Sequence, residues 1–243
     1  AREAQITPTL DREKVHQDMY ARSLVLSDGE TRIAVITLDY GALGLGPTTQ
    51  VREGIEKATG IPAENVTINS SHTHNGTWPS GEWQDGLNYG EWLVKTCVAL
   101  TVEANDTLEP AAIGYDRVPI QIGFNRRLVQ DDGQVIMAIN PSGPVAAWTD
   151  VIAINTPERA GRVGVLFTYA AHPVITQFSD VVSSDYPGSA IGRLKKLLGD
   201  GGTPETGGVF MFGQGCGANI NGFPLRGGPE ACDAVGAKLA NAL

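Results

Sequence analysis

The sequence predicts an α/β domain: a mixed, partly parallel sheet with flanking helices and an active site at the C-terminal ends of the strands. Three observations point there. Apolar runs of strand length alternate with stretches of helical periodicity. Residues 163–171 (VGVLFTYAA) form a near-continuous apolar run, the pattern of a strand covered on both faces. Asp39, His72, His172 and the 213–219 loop each fall just after a predicted strand ends, where ligands gather in such sheets.

In chain order, residues 21–27 (ARSLVLS) and 32–39 (RIAVITLD) read as strands joined by a turn at Asp28-Gly29. Pro47 opens a helix to about Ala58, which Gly60 ends. Residues 66–71 (VTINSS) read as a buried strand, and residues 89–104 as a helix with apolar side chains at helical spacing. Residues 111–123 and 151–155 are β-rich, and Arg126-Arg127 follows Phe124 in a turn. A helix over 187–198 carries Pro187 in its first turn, 209–212 is a further strand, and 229–243 is the final helix. The segment 199–208 (GDGGTPETGG) reads as a surface loop inside one domain spanning 1–243.

Composition narrows the function. The 243 residues carry a net charge of −9, from 18 basic and 27 acidic side chains. That balance disfavours nucleic acid and simple docking on anionic lipid. No apolar run reaches the ~18 residues of a membrane span. The three cysteines, Cys97, Cys216 and Cys232, are too widely spaced for a disulfide framework or a C-x-x-C zinc pair, and read as buried structural thiols. The compartment is left open, with a secreted or periplasmic setting favoured over the cytoplasm.

The chemistry concentrates in the histidines, of which there are 4. In Ser70-Ser71-His72-Thr73-His74-Asn75-Gly76, side chains two apart on an extended segment point the same way, so two imidazoles converge on a metal or on a polar turn. His172 ends the apolar strand and Pro173 stops its pairing, so this ring is either a hydrogen-bonded core residue or a further ligand. Asp39 and Asp185 are the candidate carboxylates, as additional ligands or as partners of ligand histidines; Asp185 also reads as a helix N-cap. Trp78, Trp83, Tyr89 and Trp92 form either a packed loop or an apolar wall for a ligand. Gly215 and Cys216 lie in a glycine-rich loop whose backbone packs closely beside the site, without the G-K-[ST] of a nucleotide-binding loop.

Taken in order, these residues resemble the N-terminal catalytic region of neutral/alkaline non-lysosomal ceramidases and their shorter bacterial relatives. The resemblance runs through Gln5-Ile6-Thr7-Pro8, the 16–22 segment (HQDMYAR), Thr37-Leu38-Asp39, the SSHTHNG segment, Phe124-Asn125-Arg126-Arg127, Ala171-His172-Pro173, Ser184-Asp185-Tyr186-Pro187-Gly188 and the 213–221 segment (GQGCGANIN). It implies a Zn²⁺-dependent hydrolase of an N-acyl amide bond acting on a small lipid-like substrate. His72 and His172 would be zinc ligands, His74 would contact the reacting carbonyl, and Arg126 would be a substrate-side cation. The family completes its zinc shell with a Glu and a Tyr from farther downstream, so a C-terminal region or a second chain would complete this site. Its GDxSP loop reads Gly217-Ala218-Asn219-Ile220-Asn221 here. Ile220 in place of the serine implies a metal-activated water rather than a covalent acyl-enzyme. The alternatives are a zinc hydrolase of another acyl or ester substrate, such as a deacetylase, and a catalytically silent ligand-binding domain.

Overall fold

The computed structural model describes residues 1–8, 11–76, 81–156, 162–198 and 208–243. In chain order it comprises β1 (Arg2–Gln5), β2 (Tyr20–Ser27), β3 (Arg32–Leu38), α1 (Leu45–Thr59), β4 (Val66–Ser70), β5 (Glu82–Gln84), β6 (Leu87–Asn88), α2 (Tyr89–Asp106), β7 (Ala112–Pro119), β8 (Gly123–Val129), β9 (Val135–Asn140), β10 (Trp148–Asn155), β11 (Arg162–Tyr169), α3 (Asp185–Leu198), β12 (Val209–Gln214), β13 (Ile220–Gly222) and α4 (Gly228–Ala242). None of the described helices is long and apolar enough to cross a membrane.

The α/β class and the mixed strand directions match the sequence reading, but the strands divide over two large sheets rather than one. The first has the order β1-β2-β3-β4 and the second β12-β11-β10-β7. Each contains one parallel pair, β3 with β4 and β11 with β12. In each case the connection between the parallel strands runs through a helix, α1 or α3. The two parallel pairs therefore send their C-terminal loops toward a shared rim.

Side-chain alternation shows how the layers stack. Ala21 and Val25 of β2 pack with Leu93, Cys97 and Leu100 of α2, and Ser23 hydrogen-bonds Thr101 of that helix at 2.9 Å. Leu24 and Leu26, on the opposite face of β2, pack with Ile154, Leu166, Val209 and Met211 of the second sheet. The far face of that sheet, including Phe167, Phe210 and Phe212, packs under α3 and α4 through Ala190, Ile191, Leu194 and Leu239. The result is a helix–sheet–sheet–helix sandwich. At the edge where β4 approaches β12, Asn69 Nδ2 donates to the Gln214 carbonyl at 3.1 Å and its Oδ1 accepts from the Gln214 N–H at 2.8 Å. This side chain clamps the two sheets together at the rim.

Local chemistry sets the element ends. Gly60 closes α1 in the left-handed conformation, at φ 73°, and its N–H reaches the Glu56 carbonyl. Asn88 and Glu91 form a reciprocal capping box at the start of α2. Arg126 and Arg127 lie in β8, within a three-stranded sheet of order β13-β8-β9, not in a turn. That hairpin lacked a readable alternation because Val135, Met137 and Ile139 of β9 are all exposed. Cys97 and Cys232 are buried, whereas Cys216 is exposed, against the expectation for all three thiols.

Asp39 is engaged inside the first sheet. Its Oδ2 accepts from the Tyr20 N–H at 2.9 Å and from Arg22 Nη1 at 2.9 Å. The Arg22 side chain is only 2% exposed and also reaches Glu3 Oε2 at 3.2 Å. Removing one member of a buried ion pair strands the other charge. Asp39→Ala is therefore expected to lower unfolding free energy by about 3–5 kcal/mol in denaturant titration. A loss below about 1 kcal/mol would show that Glu3 alone is enough to pair Arg22.

Candidate metal centre

The rim beyond β3, β4, β11 and β12 holds three histidines. After β4, the chain folds over the end of β3: the Ser71 N–H donates to the Leu38 carbonyl at 2.8 Å and the His72 N–H to the Tyr40 carbonyl at 2.9 Å. His72 takes a left-handed backbone, φ 68°, which turns its ring inward at a cost that surrounding bonds must offset. Thr73 supplies one of them by donating from Oγ1 to the Ser183 carbonyl at 2.7 Å, and Asn75 Nδ2 donates to the carbonyls of Ser179 and Val181 at 3.2 and 3.1 Å.

His172 is placed from the other sheet. Leaving β11, its N–H donates to the Ile220 carbonyl at 2.9 Å and its own carbonyl accepts from the Gly222 N–H at 3.0 Å. The glycine-rich loop lies tight against this turn. A Cβ on Gly217 would sit 2.7 Å from the Ala171 nitrogen, so no larger residue fits there.

These turns bring the rings together. Centroids are 5.0 Å apart for His72–His74, 5.0 Å for His72–His172 and 5.9 Å for His74–His172. One nitrogen from each ring lies within 4.8 Å of the others. Burial, reinforced by the neighbouring His72, His172 and Arg126 charges, holds the His74 pKa below its ordinary value. Burial also lowers that of His172, with Arg126 adding to the effect and the bond to Gly217 opposing it. Neutral imidazoles are the metal-binding form.

The hydrogen bonds divide the three rings by role. His72 Nδ1 lies 2.7 Å from the Gly41 carbonyl, and His172 Nδ1 lies 2.9 Å from the Gly217 carbonyl and 3.2 Å from that of Ile220. A carbonyl only accepts, so in both rings Nδ1 carries a hydrogen, and in the neutral form of each ring Nε2 keeps the lone pair. His74 is the reverse. Arg226 Nε donates to Gln177 Oε1 at 3.4 Å, which turns the amide nitrogen of Gln177 toward His74 Nδ1 at 3.2 Å. Arginine cannot accept, so His74 Nδ1 is the acceptor and its hydrogen sits on Nε2. The site thus offers two lone pairs and one N–H.

Arg126 completes the group. Its Nε donates to the Ala218 carbonyl at 3.1 Å, Nη1 to Asn221 Oδ1 at 3.1 Å, and Nη2 lies 3.2 Å from His172 Nε2. The guanidinium therefore sits on the lone pair that a metal would use. Beside it, a cleft of about 290 Å³ is lined by Phe124, Met137, Ile139, Phe223 and Leu225. A larger cleft, about 650 Å³, lies at the opposite end of the strands, around the β2–β3 turn, far from this chemistry.

The fit to a zinc ion is good in ligand type: neutral imidazoles, two with their Nδ1 hydrogens fixed by backbone carbonyls. No carboxylate of the described residues joins the trio. Asp39 is committed to Arg22, and Asp185 Oδ2 accepts from the N–H and Oγ1 of Thr176, both at 2.7 Å. Neither carboxylate is bonded to a histidine, which corrects their expected place at the metal. Asp185 opens α3 at φ 60°, where its Oδ1 accepts from the Tyr186 N–H and its Oδ2 ties down the turn that follows His172.

Trp83 packs on Tyr89 and Trp92, with centroids 5.4 and 6.2 Å away, as part of the core under the first sheet. Trp78 lies outside the described residues, as does 199–207. The Gly215 N–H donates to the Tyr169 carbonyl at 2.9 Å, so the loop braces β11, as close backbone packing required. Gly41, Gln177 and Asn221 were not singled out as site residues from the sequence. Asn221 sat inside a quoted motif; Gly41 acts through its carbonyl and Gln177 lies in a loop with no motif of its own.

Comparison with known proteins bears on the fold. Neither a protein-family model nor a curated protein matches the sequence. Solved structures do. A ceramidase complexed with C2 superposes with a TM-score of 0.76 at 17% identity, over 99% of this chain and 42% of that one. A neutral ceramidase from Pseudomonas aeruginosa superposes with a TM-score of 0.75 at 18% identity, over 99% of this chain and 43% of that one. The chain thus has a fold found in neutral ceramidases and spans about two fifths of their length.

Metal-free protein labelled with ¹⁵N at histidine tests the division of roles. Two-bond ¹⁵N–¹H spectra are expected to show Nδ1–H tautomers for His72 and His172 and an Nε2–H tautomer for His74. An Nδ1–H tautomer at His74 would overturn its assignment as a donor.

Proposed function

We propose that this chain carries the metal-binding and substrate-facing residues of a zinc-dependent hydrolase of N-acyl amides. The observation that carries the reading is the convergence of His72 and His172, delivered by different sheets, with ring centroids 5.0 Å apart and one nitrogen of each, and of the neighbouring His74, within 4.8 Å of the others. The fold shared with neutral ceramidases and the order of sequence motifs support the same reading.

His72 and His172 would hold the zinc ion. Bound there, zinc supplies Lewis acidity and lowers the pKa of water toward 7. His74, neutral with its hydrogen on Nε2, offers a hydrogen bond to the acyl oxygen, and the proton for the departing amine comes from the attacking water. Arg126 cannot keep its bond to His172 Nε2 once that lone pair is taken. Its anchors on Ala218 and Asn221 hold the guanidinium at the rim, with Nη2 available to the carbonyl oxygen of the substrate. The apolar cleft beside Arg126 suits an acyl chain.

No nucleophilic side chain occupies the loop position that is serine in ceramidases. Ile220 is buried at 3% exposure, and it serves His172 through its carbonyl. That favours attack by water over a covalent acyl-enzyme. In this reading the described residues supply two zinc ligands, His72 and His172, and no carboxylate, so the remaining ligands come from groups outside this set.

Three single variants test the assignments. His72→Ala and His172→Ala are each expected to lose one zinc equivalent relative to the unsubstituted protein, measured by elemental analysis after dialysis, together with amide hydrolysis. His74→Ala is expected to keep its zinc and lose about 10²–10³-fold in kcat on N-acyl amines. Full zinc occupancy in both ligand variants would refute the site. Hydrolysis of short acyl esters with none of long N-acyl amines would move the substrate class.

A further inference from the structure

A second group of metal-ligating side chains meets away from the rim. His16 lies in the segment leading into β2, and Cys232 and Asp233 lie near the start of α4. One ligand atom from each lies within 4.8 Å of the other two. His16 Nε2 is buried and makes no hydrogen bond, although it stands 3.2 Å from Asp233 Oδ1. Buried polar atoms in native proteins are nearly always paired, so this misaligned nitrogen needs an explanation. Tetrahedral zinc, with bonds of about 2.0–2.1 Å to nitrogen and oxygen, places two such ligands roughly 3.3 Å apart. The observed separation matches, and Ser189 Oγ, which donates to Asp233 Oδ1 at 2.7 Å and lies 3.5 Å from Cys232 Sγ, holds two of the three groups in place.

We propose that His16, Cys232 and Asp233 form a second cation site, suited to zinc. One imidazole nitrogen, one sulfur and one carboxylate oxygen make a borderline donor set that magnesium and calcium do not favour. Cys232 is fully buried and burial pushes its thiol pKa up, so it is not a poised nucleophile. On binding, the Cys232 Sγ–H proton is released to solvent and the thiolate takes its place as ligand. Asp233 is 60% exposed, which leaves an entry path and a position for water.

The site has a consequence for the rim. Gln17, next to His16, accepts at Oε1 from Ser183 Oγ at 2.9 Å and from Ser184 Oγ at 3.1 Å. Its amide nitrogen bonds Ser189 Oγ and, at 3.3 Å, Asp233 Oδ1. The Ser183 carbonyl in turn holds Thr73, the residue between His72 and His74. A cation at His16 would lock α4 to this chain of bonds and stiffen the H-x-H turn from below.

The proposal is independent of the hydrolase reading, and cobalt(II) separates the two sites because the histidine trio contains no sulfur. A His72→Ala/His172→Ala variant loaded with cobalt chloride is expected to bind one equivalent and to show a near-ultraviolet thiolate-to-cobalt charge-transfer band. Cys232→Ser should abolish that band with circular dichroism unchanged. Asp233→Asn, at an exposed side chain, should weaken cobalt binding by about 10–100-fold and covers the case in which Cys232→Ser does not fold. A folded double variant that binds neither cobalt nor zinc, or binds cobalt without the thiolate band, would overturn the proposal.

Discussion

Two hydrogen bonds to backbone carbonyls govern this site. The Gly41 carbonyl takes the Nδ1 hydrogen of His72, and the Gly217 carbonyl takes that of His172. Each bond fixes a tautomer and a ring orientation at once and leaves the Nε2 lone pair for a metal, the one on His172 being met by Arg126 Nη2 in its absence. Without them, two adjacent half-buried imidazoles would be free to rotate, and their lone pairs would not meet. The loops that supply these carbonyls follow β3 and β12, while the histidines follow β4 and β11. Each ring is therefore oriented by the loop of its parallel neighbour in the same sheet.

That pairing explains the architecture around it. Parallel strands put successive C-terminal ends side by side, and the two βαβ connections do this once in each sheet. Stacking the sheets then brings the two rims together, with Asn69 and Gln214 clamping the join. The polar network below, from Gln17 through Ser183 to Thr73, holds the strained His72 turn in place. Arg126 enters from the small third sheet, so three sheets contribute to one site.

Much of this was legible in the residues. The apolar run ending at His172 and the strand ending before His72 marked where the rings would lie, because strand ends and site residues coincide in this class of fold. The end of α1 followed from Gly60, and the start of α2 from the apolar spacing that begins at Tyr89. What stayed hidden depended on tertiary partners. The split into two sheets could not be read, since a strand buried against a helix on one face and a sheet on the other has the same apolar pattern as one between two helices. The β8–β9 hairpin carries exposed apolar residues and so lacked an alternation signal. Asp39 had the right position at a strand end, but its charge was already answered by Arg22, which sequence spacing does not reveal. Gln177 orients His74 from a loop whose approach to that ring is purely a matter of folding.

The match to ceramidases spans the whole sandwich but only 42–43% of those proteins, so the shared fold concerns the part that bears the histidines. The decisive measurement is a crystal structure of the zinc-soaked protein with anomalous data at the zinc edge. The account predicts a peak bonded to Nε2 of both His72 and His172, with the Gly41 and Gly217 carbonyls still on the two Nδ1 atoms. A map with no peak between those rings, or with zinc on Nδ1 of either, would contradict it.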